Sequence, residues 1–190
     1  AVAALRRGIH VLLEKPLTHD WDSAERLRQA LADSGCVLQV GFEMRSSALI
    51  RKIHEIIDSG ALGQVVLVWT RMFRGLGNWQ PWRQSRATGG GQFFDCMVHE
   101  VDGLMAFARA DFHRVTAFGA PRDACGPNAD DVPDTVAACV EFANAVRGTV
   151  TFSQISQTAN NTQFGVVGNA GRIDADRSEE HTSELQSLLI

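Results

Sequence analysis

The sequence has no run of basic residues, and its formal net charge is −4. A nucleic-acid-binding surface needs clustered lysine and arginine side chains, so we expect no nucleic-acid partner. Its apolar runs are far shorter than the roughly 20 residues that span a bilayer, and it shows no secretory signal pattern, so we expect no membrane partner. The apolar and charged fractions, 45% and 21%, are typical of a soluble globular protein.

The cysteines also lack the spacing of a metal site. They form no C-x-x-C pair and have no zinc-like spacing with histidine, so the sequence predicts no metal. Thiols without a disulfide framework are typical of a reducing compartment, which favours a cytoplasmic location. The four cysteines are Cys36, Cys96, Cys125 and Cys139.

The first part of the chain has the pattern of one β-α-β unit. A short apolar run at Ile9–Leu13 indicates a buried parallel strand. Asp20 is the expected N-cap of a helix that Gly35 ends, and Val37–Phe42 is the next strand. This order predicts a parallel pair with a crossover helix, the repeating unit of a doubly wound α/β sheet.

The pattern changes near Gly41–Arg45, where we place a domain boundary. A helix follows, capped by Ser46 or Ser47 and ended by Gly60. Several strands then succeed one another with few helices between them, which predicts a mostly antiparallel sheet covered by helices on one face. The predicted strands are Gln64–Arg71, Val115–Ala120, Val136–Ala143, Gly148–Gln154 and Phe164–Val167, with a hairpin turn at Asn144–Arg147.

Glu14, Lys15 and Pro16 follow the first predicted strand directly. Polar residues at the carboxyl end of a parallel strand lie where open α/β sheets bind ligands. Pro16 fixes the exit of the chain and restricts Lys15 to an extended conformation. On local sequence alone, a Lys-Pro pair more often marks a simple turn.

A second motif, GGGQFFDCMVHEVD, occupies residues 89–102. Three glycines lead into a helical pattern on which Asp95 and His99, four residues apart, lie on the same face. Asp102 lies close to that face one turn further on. An acid in the first turn suits the helix dipole and can orient a histidine. The alternative from spacing alone is a capped helix with a structural histidine.

The segment between these glycines and the strand before them is rich in tryptophan and arginine. Tryptophan rings stack on sugars, and arginine binds carboxylate or phosphate, so we expect a substrate-binding role. A surface loop or subunit contact is an equal alternative, because interfaces are enriched in the same residues. The candidate substrate-binding residues are Arg71, Trp79, Trp82 and Arg83.

The two motifs together resemble signatures of the glucose–fructose oxidoreductase, inositol dehydrogenase and MocA family. Residues 8–16, GIHVLLEKP, are similar to its G-x-H-V-x-x-E-K-P signature, and residues 89–102 are similar to its second signature. Ile53–Gly63 is also similar to the family between the motifs. The resemblance covers roughly residues 1–174.

This resemblance implies a Rossmann domain followed by an α+β domain whose open sheet often packs against another subunit. It implies hydride transfer between NAD or NADP and a hydroxyl-bearing carbon of a sugar or polyol. His99 would then be the general base, and Asp95 would orient His99 or hold a substrate hydroxyl. Lys15 would bind the reacting oxygen, with Glu14 and Pro16 beside the cofactor. The three catalytic side chains should then lie within about 10 Å of one another.

The chain departs from the family pattern because it contains no glycine-rich pyrophosphate-binding turn. Residues 1–42 are therefore expected to be the C-terminal remnant of the dinucleotide-binding domain, and residues 43–176 a truncated substrate and oligomerisation domain. As given, the chain is expected to be inactive. Two alternatives stay open for the parent protein: nicotinamide-assisted glycoside cleavage, and a non-catalytic sugar or cofactor sensor.

The two ends of the chain suggest a fragment. Residues 1–8 have the pattern of a helix end with Gly8 as its C-cap, which suggests that the sequence begins inside a longer protein. Residues 177–187, RSEEHTSELQS, resemble the translation of a sequencing-library adapter, so residues 177–190 are expected to be a non-native tail. The tail is polar and poorly amphipathic, and a helix drawn over it, with Ser178 as cap and Leu185, Leu188 and Leu189 on it, is expected to pack little against the rest of the chain.

Overall fold

The computed structural model describes residues 1–75, 82, 85–120, 132–156, 160–178 and 183–189. Five helices, a 3₁₀ helix and nine strands are found in these residues. They are α1 (Val2–Leu5), β1 (Val11–Glu14), α2 (Trp21–Ser34), β2 (Leu38–Gly41), the 3₁₀ helix (Glu43–Ser46), α3 (Ala48–Asp58), β3 (Val65–Gly75), α4 (Arg86–Gly89), α5 (Gln92–Ala108), β4 (Phe112–Ala120), β5 (Thr135–Phe142), β6 (Arg147–Ser156), β7 (Asn161–Gly168), β8 (Arg172–Ser178) and β9 (Ser183–Leu189).

The first unit is the predicted β-α-β arrangement. β1 and β2 pair in parallel, from Val11 opposite Leu38 to Glu14 opposite Gly41. The side chain of Asp20 accepts a hydrogen bond from the Ser23 N–H, and Gly35 ends α2 with a φ of 63°. Both predicted caps are therefore confirmed, because an aspartate oxygen satisfies a free N–H and glycine adopts the left-handed conformation without strain.

The second unit is a seven-stranded sheet in the order β4-β5-β6-β3-β7-β8-β9. β3 pairs in parallel with β6, and every other pair of neighbours is antiparallel. The predicted mostly antiparallel sheet is confirmed, and so is the hairpin between β5 and β6, where Ala145 has a φ of 66°. The sequence pattern missed β8 as a strand.

Helices cover one face of this sheet. Successive side chains of a strand point to opposite faces of the sheet. Val68 and Met72 of β3 point to the same face and are buried in the core with residues of α3 and α5. Phe107 of α5 meets Phe164 of β7 edge to face, with ring centroids 6.0 Å apart. Apolar side chains elsewhere on the sheet stay exposed, including Val66, Val115 and Phe118.

The end of the chain differs from its predicted helix. Ser183–Leu189 is strand β9, which pairs with β8 from Arg172 opposite Leu189 to Arg177 opposite Ser183. The helix prediction was wrong. An edge strand presents unpaired N–H and C=O groups, and pairing satisfies them, whereas a short polar helix would bury little apolar surface here. The origin of residues 177–190 stays a prediction.

Candidate active site

Lys15 joins the two units. It follows β1 directly, and the Lys15–Pro16 peptide bond is cis. Its Nζ donates hydrogen bonds to the backbone oxygen of Asp95, at 2.7 Å, and to Asp95 Oδ1, at 3.1 Å. The Lys15 and Asp95 side chains are 23% and 9% exposed, so this ion pair is largely shielded from solvent. The predicted proximity of Lys15 and Asp95 is therefore confirmed.

Asp95 and His99 lie one turn apart on α5. Both residues are buried, with relative exposures of 6% and 8%. α5 begins after Gly91, whose φ is 94° and whose oxygen accepts the Asp95 N–H at 3.1 Å. The glycines thus place the first turn of α5, and with it Asp95, against Lys15.

Gly91 is conformationally restricted as well as closely packed. Its φ of 94° and ψ of 170° belong to a region that glycine alone adopts readily, and a Cβ there would overlap Cγ1 of Val132. We expect Gly91→Ala to lower the free energy of unfolding by about 2–5 kcal/mol, from backbone strain and overpacking together. Denaturant unfolding measures this change.

Gly60→Ala is the matched control for this prediction. Gly60 has a φ of 74°, and nothing lies within 4 Å of the Cβ position. This variant should therefore cost only about 1–2 kcal/mol, from the left-handed backbone. Equal losses in the two variants would show that Val132 does not restrict Gly91.

His99 contacts the segment that connects the two units. Its Nε2 lies 3.5 Å from Glu43 Oε1, and its ring meets Phe42 edge to face, with centroids 5.9 Å apart. Nearby, Arg45 binds Asp102 with two hydrogen bonds of 2.7 and 2.5 Å. Glu43 therefore presents a carboxylate to the His99 ring, while Oδ1 of Asp95 accepts from Lys15.

Burial sets the protonation of His99. It lowers the pKa of His99, because a charged imidazolium loses hydration, and the charges of Lys15 and Arg177 act in the same direction. Glu43 and Asp102 oppose this effect and raise the pKa. His99 is therefore neutral at neutral pH and able to accept a proton.

Glu100 is a second buried titratable group on α5. It is 1% exposed, and its Oε2 has no hydrogen-bond partner among the described residues. Burial raises the pKa of Glu100 to about 7, against the opposing effects of a backbone hydrogen bond and the charges of Arg177, Arg74 and Lys15. A carboxyl group that is partly protonated at neutral pH thus lies next to His99 in sequence.

Of the predicted substrate-binding residues, Arg71 lies away from this site. Arg71 alternates with the buried Met72 on β3 and binds the Gln163 side chain on the neighbouring strand, so it lies on the face opposite α5. Trp82 packs over Gly89, where a Cβ would lie 2.9 Å from its ring. Trp79 and Arg83 lie outside the described residues.

The predicted cofactor-binding residues flank Lys15 at the carboxyl end of β1. Oε2 of Glu14 lies 3.4 Å from the Cβ position of Gly41 at the end of β2. The roles of Glu14, Lys15 and Pro16, like those of Asp95 and His99, stay predictions.

Sequence reasoning missed Glu43 and Glu100. Glu43 follows β2 at the same edge of the parallel pair as Lys15, and the rule that ligands bind at carboxyl ends could have found it. Glu100 carries no such signal, because its significance comes from burial that a charged residue rarely undergoes.

The geometry supports proton transfer. A buried, neutral imidazole can take a proton from a hydroxyl group, and the Lys15 ammonium can stabilise negative charge on the oxygen that loses it. Among the described residues, no group of three or more His, Cys, Asp or Glu side chains could hold a metal ion, and no helix is long and apolar enough to cross a membrane.

Comparison with family models identifies the class of protein. Residues 50–174 match the GFO/IDH/MocA C-terminal domain, and residues 1–42 match the oxidoreductase family with an NAD-binding Rossmann fold. The chain belongs to the GFO/IDH/MocA family of oxidoreductases.

Individual relatives agree with this assignment. The 1,5-anhydro-D-fructose reductase of Ensifer adhaerens is 28% identical over 177 residues, which cover 88% of this chain and 52% of that protein. The levoglucosan dehydrogenase of Pseudarthrobacter phenanthrenivorans is 27% identical over 203 residues, covering 91% and 50%. The crystal structure of GenD2 from gentamicin A biosynthesis in complex with NAD is similar with a TM-score of 0.79 and 28% identity, covering 92% of this chain and 49% of GenD2. The chain thus spans about half the length of the curated relatives it matches.

Proposed function

We propose that this chain is a fragment of an NAD- or NADP-dependent oxidoreductase. The whole protein would transfer a hydride between the nicotinamide and a hydroxyl-bearing carbon of a sugar, polyol or derivative. One observation carries the proposal: the Lys15 ammonium binds Asp95 on the helix that also presents His99. Relatives named as a fructose-derivative reductase and a levoglucosan dehydrogenase support the substrate class.

Each side chain has a distinct task in the proposed reaction. When bound, the nicotinamide accepts or donates the hydride. During oxidation, neutral His99 takes the hydroxyl proton, and Lys15 stabilises the oxygen as it gains negative charge. Asp95 holds Lys15 in place through its carboxylate and its backbone oxygen. In the reverse direction the His99 imidazolium returns the proton.

The residues of this chain fit the reacting end of a nicotinamide cofactor and not its phosphates. Glu14, Lys15 and Pro16 lie at the carboxyl end of β1, with Lys15 in contact with Asp95 on α5, and would hold the nicotinamide end. The pyrophosphate normally binds at a glycine-rich turn before a helix, and the sequence has no G-x-G-x-x-G motif. Apolar side chains of the parallel pair and its flanks are also exposed: Ile9 at 50%, Leu12 at 74% and Val37 at 62%.

We therefore predict that residues 1–176 alone show no micromolar binding of NAD or NADP in calorimetric titrations. A longer protein that adds a glycine-rich β-α unit before Ala1 should bind one of the two. Micromolar binding by residues 1–176 would contradict the proposed fragment. A longer protein that binds neither NAD nor NADP would contradict the proposed oxidoreductase function.

Net reduction of the cofactor distinguishes this function from the alternatives. A dehydrogenase accumulates reduced nicotinamide when a sugar or polyol is oxidised, and absorbance measures the accumulation. A nicotinamide-assisted glycosidase would cleave its substrate without net reduction, and a sensor would bind without turnover.

The remaining proposals concern organisation. We place the dinucleotide-binding remnant at residues 1–42, the substrate and oligomerisation domain at residues 43–176 and a non-native tail at residues 177–190. The exposed face of the large sheet, with Val115 at 56% and Phe118 at 78% exposure, is the proposed homo-oligomer contact. We propose a cytoplasmic location.

A further inference from the structure

The segment between β2 and α3 contacts the helix that carries the proposed general base. Phe42 meets the His99 ring edge to face, and Glu43 Oε1 lies 3.5 Å from His99 Nε2. Arg45 lies over the Phe42 ring, 5.7 Å from its centroid, and binds Asp102 on α5 with two hydrogen bonds. This connection between the two units thus positions a carboxylate at the His99 ring.

The contact between Glu43 and His99 joins a buried group to an exposed one. The His99 side chain is 9% exposed and that of Glu43 is 67% exposed. The separation of 3.5 Å is an ion-pair distance, slightly longer than a usual hydrogen bond. Catalytic hydrogen bonds are often long before substrate binds and shorten in the complex.

The other charges around His99 make this carboxylate important. Lys15, after β1, and Arg177, on β8, both disfavour a positive charge on the imidazole, as does burial itself. Asp102 on α5 favours that charge, but its carboxylate already binds Arg45. Glu43 has the largest favourable effect on the charged form of His99.

We propose that Glu43 is a positioning residue that acts through His99, stabilising the imidazolium formed when His99 takes the substrate proton. The role rests on the proposed function. During oxidation the hydroxyl O–H bond breaks, and the proton goes to the imidazole, which then carries N–H groups on both nitrogens. The Glu43 carboxylate faces one of these N–H groups at Nε2 and offsets the charge. In the reverse direction the imidazolium returns the same proton to the substrate oxygen.

NMR titration of His99 in the 190-residue chain tests this proposal. Glu43→Gln keeps the shape and an acceptor oxygen but removes the charge, so the midpoint of the His99 titration should move to lower pH. Glu43→Asp keeps the charge further from the ring and should give a midpoint between the other two. Because Glu43 is exposed, the difference between wild type and Glu43→Gln should shrink as salt is raised.

Glu25→Gln is the matched control. Glu25 is an exposed glutamate on α2 that binds Arg28, and its substitution should leave the His99 midpoint unchanged. An unchanged or raised midpoint in Glu43→Gln would overturn the proposal, and so would an equal displacement in Glu25→Gln. A structural role without charge would leave the Glu43→Asp and Glu43→Gln midpoints alike.

The titration separates this inference from the proposed function. A displaced midpoint in a protein whose longer form oxidises no sugar or polyol would support the interaction of Glu43 with His99 and refute the dehydrogenase. An active longer form in which Glu43→Gln leaves both the midpoint and the acid limb of the pH profile unchanged would refute the role of Glu43.

Discussion

Replacing His99 by alanine is expected to lower the turnover of the longer, cofactor-binding protein by roughly 10²–10⁴-fold, the usual contribution of a positioned proton acceptor. Cofactor affinity should change little, because His99 lies on α5 and not on the β-α-β unit. Steady-state kinetics gives the turnover, and calorimetry gives the cofactor affinity.

His113→Ala is a suitable control, because His113 is an exposed histidine on β4. It should keep turnover at the wild-type level. His99→Asn, which retains polar contacts but cannot accept a proton at neutral pH, should be as slow as His99→Ala. If His99→Ala turns over normally, His99 has no part in the reaction.

The pH dependence of oxidation follows from the direction of the His99 pKa. Since burial lowers that pKa, the base stays neutral below the ordinary histidine range of about 6.5. The acid limb of the kcat/KM profile should therefore fall at a lower pH than an exposed histidine would give, and His99→Asn should lose this limb.

The second large expected effect concerns Glu100 and the stability of the fold. Its pKa rises from 4.5 to about 7 on folding, so the native state holds more protons than the unfolded state between these values. The free energy of unfolding should fall as pH rises through this window and level off above it. A rise in pKa of this size corresponds to a total decrease of roughly 3 kcal/mol in the free energy of unfolding.

Glu100→Gln should remove this decrease, because the amide has the same shape and does not ionise. A constant offset is also expected, since the amide group gains a donor where Oε2 has no partner among the described residues. Denaturant unfolding between pH 5 and pH 8 measures the slope. Burial lowers the pKa values of His54 and His99, so these groups make the free energy of unfolding rise with pH. Their contribution is the same in wild type and Glu100→Gln and cancels when the two slopes are compared.

Glu55→Gln provides the control for this experiment. Glu55 is 65% exposed on α3 and pairs with Lys52, so its substitution should keep the wild-type slope. A wild-type slope that survives in Glu100→Gln would place its origin in another group.

Much of the local structure was predictable because its signals are short-range. Asp20 and Gly35 cap α2 as expected, since each acts on backbone groups within a few residues. Ser47 caps α3 in the same way. β9 was not predictable from residues 183–189 alone. These residues form a strand because they pair with β8 at the edge of the assembled sheet.

The site likewise has a part that local sequence predicts and a part that it does not. The four-residue spacing of Asp95 and His99 determines that they share a helix face, whatever the rest of the fold does. The resemblance to a family predicted that Lys15 lies at the same site, and the structure confirms that Lys15 contacts Asp95. Arg71 could not be assigned to a face from the sequence, because residues 65–69 before it are all apolar and do not mark which side of β3 faces the core.

The sequence by itself determined the β-α-β unit, the caps and the Asp95–His99 pair, because these depend on backbone geometry repeated over a few residues. The tertiary structure decided that Lys15 binds Asp95 across 80 residues of chain, that the Glu43 carboxylate lies beside the His99 ring, and that Glu100 is buried. These contacts depend on how β1, β2 and α5 pack together. The effects of charge and burial depend on which residues lie close together in space, and local sequence does not encode those distances.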